Sequence, residues 1–209
     1  AAVIECALMG PELRFTETRK VAACGAEMLP RVDGDSQPLN EVFEVPAGAT
    51  LSFDFVRAGA RLYLAVEGGI DVPERLDSRS TYALGSLGGL HGRTLQAGDS
   101  LALLPVHGKA INGRSLPDNL VPVFSRRYEL RVMPGLYAHR LEPDSAKRFY
   151  QEDWSVASEA DRIDYRMKGG SKLDFIQREP PFGAGDDPSN IVDACYPIGS
   201  IQVPSGSEP

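Results

Sequence analysis

The chain has 209 residues, with 22 Lys and Arg against 29 Asp and Glu, a net charge of −7. So acidic a chain lacks the basic face that nucleic acid or an anionic membrane demands, and no apolar run approaches the ~20 residues that span a bilayer. With 42% hydrophobic residues it is too apolar for disorder, and it is long enough to bury a core without disulfides or a metal.

The 21 glycines and 16 prolines punctuate short apolar runs, which predicts a mainly β chain of strands joined by turns. The first residues are not a secretory signal, because they lack a basic start and Glu5 interrupts their apolar stretch. Strands are predicted over 3–8, 20–24, 41–45, 50–56, 61–66, 100–104 and 127–133. Leu51-Ser52-Phe53-Asp54-Phe55 and Tyr128-Glu129-Leu130-Arg131-Val132 alternate with period two, the mark of a strand with one buried face. The middle of the chain reads as an antiparallel meander. Pro143, Asp144 and the later bases Lys147 and Arg148 predict a helix over 143–150. Strands resume at 172–177 and 200–203, and 179–190 reads as a long surface loop. Residues 1–107 form a first β lobe, 108–126 a linker and 127–209 a second β lobe. Ala47-Gly48-Ala49-Thr50-Leu51 is echoed by Ala97-Gly98-Asp99-Ser100-Leu101, either as two similar turns or as a repeated β unit.

Cys6, Cys24 and Cys195 are odd in number and form no Cys-x-x-Cys pair. They read as buried or half-buried thiols of a reducing, cytoplasmic compartment. His91, His107 and His139 lack ligand spacing, so no metal is expected.

Three clusters could carry chemistry. Gly85-Ser86-Leu87-Gly88-Gly89-Leu90-His91-Gly92-Arg93 is either a set of tight turns or a ligand loop. It is neither a P-loop nor a dinucleotide fingerprint, because no Gly-Lys-Ser/Thr follows and no strand-turn-helix frame surrounds it. Asp77-Ser78-Arg79-Ser80-Thr81-Tyr82 offers a guanidinium among hydroxyls, suited to a carboxylate, phosphate or carbonyl oxygen, or else to a surface salt bridge. Arg162 and Arg166, flanking Asp164 and Tyr165, would share a face on a strand and suit an anion or an ion-pair network equally. No Ser-His-Asp order, zinc-protease motif or isolated carboxylate pair is present.

Arg61-Leu62-Tyr63-Leu64-Ala65-Val66-Glu67-Gly68-Gly69-Ile70-Asp71-Val72-Pro73, Ser78-Arg79-Ser80-Thr81 and Gly88-Gly89-Leu90-His91-Gly92-Arg93 closely resemble, in that order, the allophanate hydrolase subunit 2 family. This family includes the carboxyltransferase half of urea carboxylase and one of the subunits of the bacterial 5-oxoprolinase. The resemblance continues through Leu130-Arg131-Val132-Met133-Pro134-Gly135 and Asp161-Arg162-Ile163-Asp164-Tyr165-Arg166 to Gly199-Ser200-Ile201-Gln202-Val203-Pro204. Asp164 replaces a small family residue, and Glu67 stands where Ala is common and reads as a tolerated surface change. Family members also carry a Thr-Val-Gln-Asp segment before the first strand and a Gly-Gly-Tyr motif after the last. The chain is therefore expected to be an internal piece of a longer protein.

The resemblance implies a cyclophilin-like antiparallel β-barrel with few short helices, and a partner of the subunit 1 type with a related fold. It also implies transfer of a carboxyl group from carboxybiotin to an amide or urea-like nitrogen. Biotin would come from another domain or chain, because Met167-Lys168-Gly169 is not an attachment motif. A biotin carrier, a biotin carboxylase and ATP would serve the complex. Under this reading Arg79, Arg162 and Arg166 donate to the carboxylate or developing oxyanion. Ser80, Thr81, Tyr82 and Tyr165 orient the ligand, Gly88 and Gly89 give close backbone access, and Gln202 binds an amide. Two alternatives are an ATP-dependent, biotin-free 5-oxoprolinase component, towards which the Gly-Ser-Ile-Gln-Val-Pro run leans, and a non-catalytic antagonist of a subunit 1-like kinase inhibitor.

Overall fold

The computed structural model describes residues 1–108, 110–179, 181–192 and 194–204. Its strands are β1 (Ile4–Ala7), β2 (Leu13–Arg14), β3 (Arg19–Gly25), β4 (Pro30–Val32), β5 (Asp35–Ser36), β6 (Val42–Val45), β7 (Thr50–Phe53), β8 (Arg61–Val66), β9 (Ser155–Val156) and β10 (Met167–Lys168). One α-helix, α1, spans Pro143–Gln151. The mainly β, antiparallel class with few short helices matches the expectation. The chain divides into two compact units, Ala1–Tyr128 and Glu129–Pro209.

In the first unit the strands form two four-stranded sheets, ordered β1-β8-β3-β6 and β2-β7-β4-β5. This is not the expected meander, because within these sheets only β4 and β5 adjoin both in sequence and in space. Alternation tells a strand which face to bury, but not which strand to pair with. The register aligns the inward residues across the first sheet: Ile4 and Ala23 flank Leu64, and Val66 and Phe43 flank Val21. A slip of one residue would turn this whole set to solvent. Leu51 supplies the corresponding centre in the second sheet, between Leu13 and Val32. Side chains from both sheets meet in one core, in which Leu51, Leu62 and Leu64 are 0% exposed. Each such leucine contributes roughly 1.5–3 kcal/mol by burial.

Within segment 108–126, expected to join two lobes, residues 113–116 run along the open edge of β6. Gly113 donates to the Val42 carbonyl, Val42 to that of Arg114 and Leu116 to that of Asn40. These bonds satisfy backbone groups that a bare edge strand would leave open. Glu67 is not the indifferent surface residue the sequence suggested. Its carboxylate accepts from the backbone N–H of Ala110 at 3.1 Å and of Lys20 at 3.4 Å, while Lys20 Nζ donates to the Ala110 carbonyl at 2.6 Å.

Four predicted strands do not form as such. Segment 100–104 makes one isolated bridge, Leu103 to Ile70, held by Asp71 N–H to Ala102 O and Leu104 N–H to Gly69 O. Segment 127–133 alternates, yet Tyr128, Leu130 and Met133 are all exposed and no strand is assigned. Segment 172–177 keeps only the Leu141–Phe175 bridge, and 200–203 forms no ladder. The echo of 47–51 at 97–101 is a turn likeness, since Ala49 N–H to Pro46 O and Asp99 N–H to Gln96 O are equivalent bonds, but only the first turn enters a strand.

The second unit holds α1, which begins as predicted with Pro143 in its first turn and Asp144 beside it. Its buried Ser145 accepts from Arg148 Nη2 and from the Asp174 backbone N–H, both at 2.9 Å. Trp154 closes the end of the helix by donating Nε1–H to the Phe149 carbonyl at 3.2 Å. Loop 179–190, outside Pro180, is tied within itself by Asn190 Nδ2 donating to Ala184 O and to the preceding residue by Arg178 Nη2 donating to Asn190 O. Cys6 is buried and Cys24 half-buried, but Cys195 is exposed, against the sequence reading, because it lies outside both sheets.

Candidate functional site

The first unit places two of the three clusters against each other. Arg75 and Ser78 exchange backbone hydrogen bonds of 2.8 and 3.0 Å around Leu76-Asp77. Tyr82 and Leu87 do the same at 2.8 and 3.1 Å, closing a second small hairpin. The chain then turns through 88–92, with Gly92 N–H donating to Gly88 O at 2.9 Å. Both Gly88 and Gly89 have positive φ, +72° and +52°. A Cβ on Gly88 would collide with the Ser80 carbonyl, and one on Gly89 with the Thr81 side chain. Glycine is therefore what lets the turn lie on Ser80 and Thr81. Leu76, Asp77, Ser86 and His91 also adopt left-handed φ between 50° and 57°, a conformation that costs a non-glycine residue roughly 1–2 kcal/mol. Such local cost gathers at functional sites.

Ser80, Thr81 and Tyr82 are exposed on this loop, and the Tyr82 ring lies over Gly85. The Arg79 guanidinium turns towards the stem. Its Nη1 donates to the Val72 carbonyl, and it lies 3.9 Å from Asp71 and 3.7 Å from Glu74. In a chain with 29 acidic residues, none falls between Asp77 and Asp99. Asp99 is itself gripped by Arg93 through two 2.8 Å bonds and accepts the Gln96 backbone N–H. Those bonds, Arg93's first, hold its carboxyl well below the usual range. The loop thus presents exposed Ser80, Thr81 and Tyr82 with no carboxylate of its own and with Arg79 at its stem, a set of hydroxyl donors that fits a carboxylate or a polarised carbonyl oxygen.

In the second unit, 157–166 is the loop between β9 and β10, so Arg162 and Arg166 do not lie on a strand as the even spacing suggested. Ala157 N–H donates to Arg166 O, and Asp161 N–H to Asp164 O. Asp161 Oδ1 accepts from the backbones of Ile163 at 2.6 Å and Asp164 at 3.0 Å. A side-chain-capped turn replaced the strand because Asp161 competes for the backbone donors. Asp164 has no left-handed φ, so the conformation does not require the small residue usual in the family. Arg162, Tyr165 and Arg166 are exposed here, and Gln202 is exposed outside any strand. Arg93 and Asp99 escaped sequence reasoning because an arginine six residues from an aspartate carries no distinctive spacing.

Comparison with known proteins gives this arrangement a family. The model of the carboxyltransferase domain, subdomain A and B, matches residues 1–209. The urea amidolyase of Saccharomyces cerevisiae is 35% identical over 214 residues, covering 99% of this chain and 11% of that protein. A 5-oxoprolinase subunit of Escherichia coli is 30% identical over 213 residues, covering 100% of this chain and 62% of that protein. The crystal structure of the Kluyveromyces lactis urea carboxylase superposes with a TM-score of 0.85 at 31% identity, over 99% of this chain and 19% of that one. The chain thus spans only part of the length of each of these proteins. It belongs to the carboxyltransferase domain family.

Proposed function

We propose that this member of the carboxyltransferase domain family moves a carboxyl group from carboxybiotin to an amide or urea-like nitrogen, as one part of a larger assembly. The observation that carries the reading is the acid-free loop of residues 80–92, which exposes Ser80, Thr81 and Tyr82 while its glycines pack on Ser80 and Thr81. The likeness to proteins named urea amidolyase and urea carboxylase over almost the whole chain supports it.

Biotin, borne by another domain or chain, would supply the carboxyl group on a ureido nitrogen; the donor set of the loop fits that anion. Ser80 and Thr81 would donate hydroxyl protons to its oxygens, with the backbone at Gly88 and Gly89 approaching closely. Arg79 would add positive charge beside them while fixing the stem through Val72. Tyr82 would orient the ligand with its exposed phenol. The second unit, taken by itself, would offer Arg162 and Arg166 as donors to an anionic or amide oxygen, with Tyr165 and Gln202 as further hydrogen-bonding groups. In the transfer, the bond from carboxyl carbon to biotin nitrogen breaks and one from that carbon to the acceptor nitrogen forms. The acceptor's proton ends on biotin.

The test is turnover of the full-length protein with its subunit 1-type partner, ATP, bicarbonate, a biotinylated carrier and its carboxylase. Arg79→Ala and Arg162→Ala should each lower carrier-dependent transfer at least tenfold. Wild-type rates in both would remove their assigned roles. A second reading, a component of an ATP-dependent 5-oxoprolinase, is favoured by the likeness to the bacterial 5-oxoprolinase subunit, of which this chain covers the larger share. Glutamate release from 5-oxoproline that avidin leaves untouched would select it.

A further inference from the structure

We propose that the Arg93–Asp99 ion pair is a positioning device that holds the 88–92 turn against Ser80 and Thr81, and so governs transfer without touching the ligand. This rests on the reading that residues 80–92 bind the carboxyl group.

The pair forms a full fork. Arg93 Nη1 meets Asp99 Oδ2 at 2.8 Å and Nη2 meets Oδ1 at 2.8 Å. The Gln96 N–H reaches the same carboxylate at 2.8 Å, and Arg93 Nη1 also donates to Thr94 O at 2.9 Å. Both residues stand where a clamp has leverage. Arg93 directly follows the turn, and its N–H donates to Leu90 O. Asp99 directly precedes 100–104, whose Leu101 and Leu103 pack on the core and whose backbone bonds to Gly69 and Asp71. The fork therefore ties a turn that contributes no residue to the core to a segment fixed on it. On the other stem, Arg79 holds Ser80 near Val72, itself a core residue. The Asp71 N–H to Ala102 O bond, 2.8 Å, joins the two stems. Asp99 is moreover the one acidic residue between Asp77 and Asp118. Pairing it keeps an uncompensated negative charge away from a loop meant for an anion.

An exposed or half-exposed pair adds little to global stability. A displaced binding group, in contrast, can cost a reaction up to about 100-fold. Lysine keeps the charge but cannot form the fork. In the full-length protein assembled with its partners, Arg93→Lys and Asp99→Asn should each lower kcat by roughly 10- to 100-fold, with the acceptor KM within about threefold. The double variant should be no slower than either single one, as expected for residues acting as a unit. The melting temperature should move by no more than about 4 °C. Amide hydrogen exchange at residues 88–93 should quicken about tenfold or more in both variants, whether or not an acceptor has been found.

Unchanged exchange in both variants overturns the inference. So does quickened exchange with wild-type kcat, which would leave the pair a structural tie only. If the wild-type assembly transfers no carboxyl group to any amide, the functional reading falls by itself, and the exchange result still decides whether the pair holds the turn.

Discussion

The two units are held together by different means. The first buries sixteen apolar residues in one core fed by two sheets. Among the described residues, the second buries only Leu173 and Ala184 of this kind and relies on polar ties: Ser145 with Arg148 and Asp174, Glu152 with Ser171, and Trp154 with Phe149. Apolar burial is cooperative and indifferent to direction. Polar ties are local and fail one at a time. The first unit can therefore carry a costly left-handed loop on its surface, whereas the second depends on each hydrogen bond being made.

The largest effect should come from the first core. Leu64→Ala should cost about 2–5 kcal/mol by removing buried methyl groups at the crossing of three strands, measured by denaturant unfolding. In the second unit, Ser145→Ala takes the acceptor from the Asp174 N–H and should cost about 1–3 kcal/mol. Trp154 is the only tryptophan in the chain, so its fluorescence should report that loss while unfolding of the first unit, followed by hydrogen exchange, stays put. Equal loss in both units would erase the contrast.

The site loop comes next. Gly89→Ala drives a Cβ into Thr81 and should lower transfer at least tenfold, with a stability change near 1–2 kcal/mol from the left-handed backbone alone. The smallest effects are chemical. Burial, aided by the neighbouring Glu5, raises the Cys6 thiol from about 9 to about 11, and burial raises Cys24 as well. Alkylation should thus reach Cys195 first, Cys24 slowly and Cys6 only on unfolding. Because the folded value for Cys6 lies above the unfolded one, its contribution to stability is complete below pH 9 and disappears as pH rises towards 11. Glu152 runs the other way. Bonds from the Ser171 backbone N–H and hydroxyl lower its value, so its contribution is complete above the ordinary carboxylate range and fades as pH falls through the lowered one. Ser171→Ala removes the hydroxyl but keeps the backbone N–H, the larger cause, so it should flatten the acid limb of unfolding, followed by Trp154, only in part.

These contrasts also mark what the sequence could disclose. Segments 3–8, 20–24, 41–45 and 61–66 were legible as strands because each places alternate apolar residues on one buried face. The two- and three-residue strands β2, β4, β5, β9 and β10 were not, since they are too short to show a period. At 127–133 the alternation was present without a buried face, and the strand did not form. For the site, Ser80, Thr81, Gly88 and Gly89 were legible as unusual residues, but their mutual contact arises from two hairpins whose turns, Leu76-Asp77 among them, break the usual residue preferences. The role of Glu67 in fixing Ala110 depends on a partner forty-three positions away, beyond any local pattern.

The most direct test of carboxyl transfer follows labelled bicarbonate in the full-length protein with its partner, ATP, a biotinylated carrier and its carboxylase, supplying urea and other small amides. The expected result is label on an acceptor nitrogen, dependent on the carrier and abolished by avidin. Turnover that proceeds equally without the carrier, or none with any amide, would contradict it.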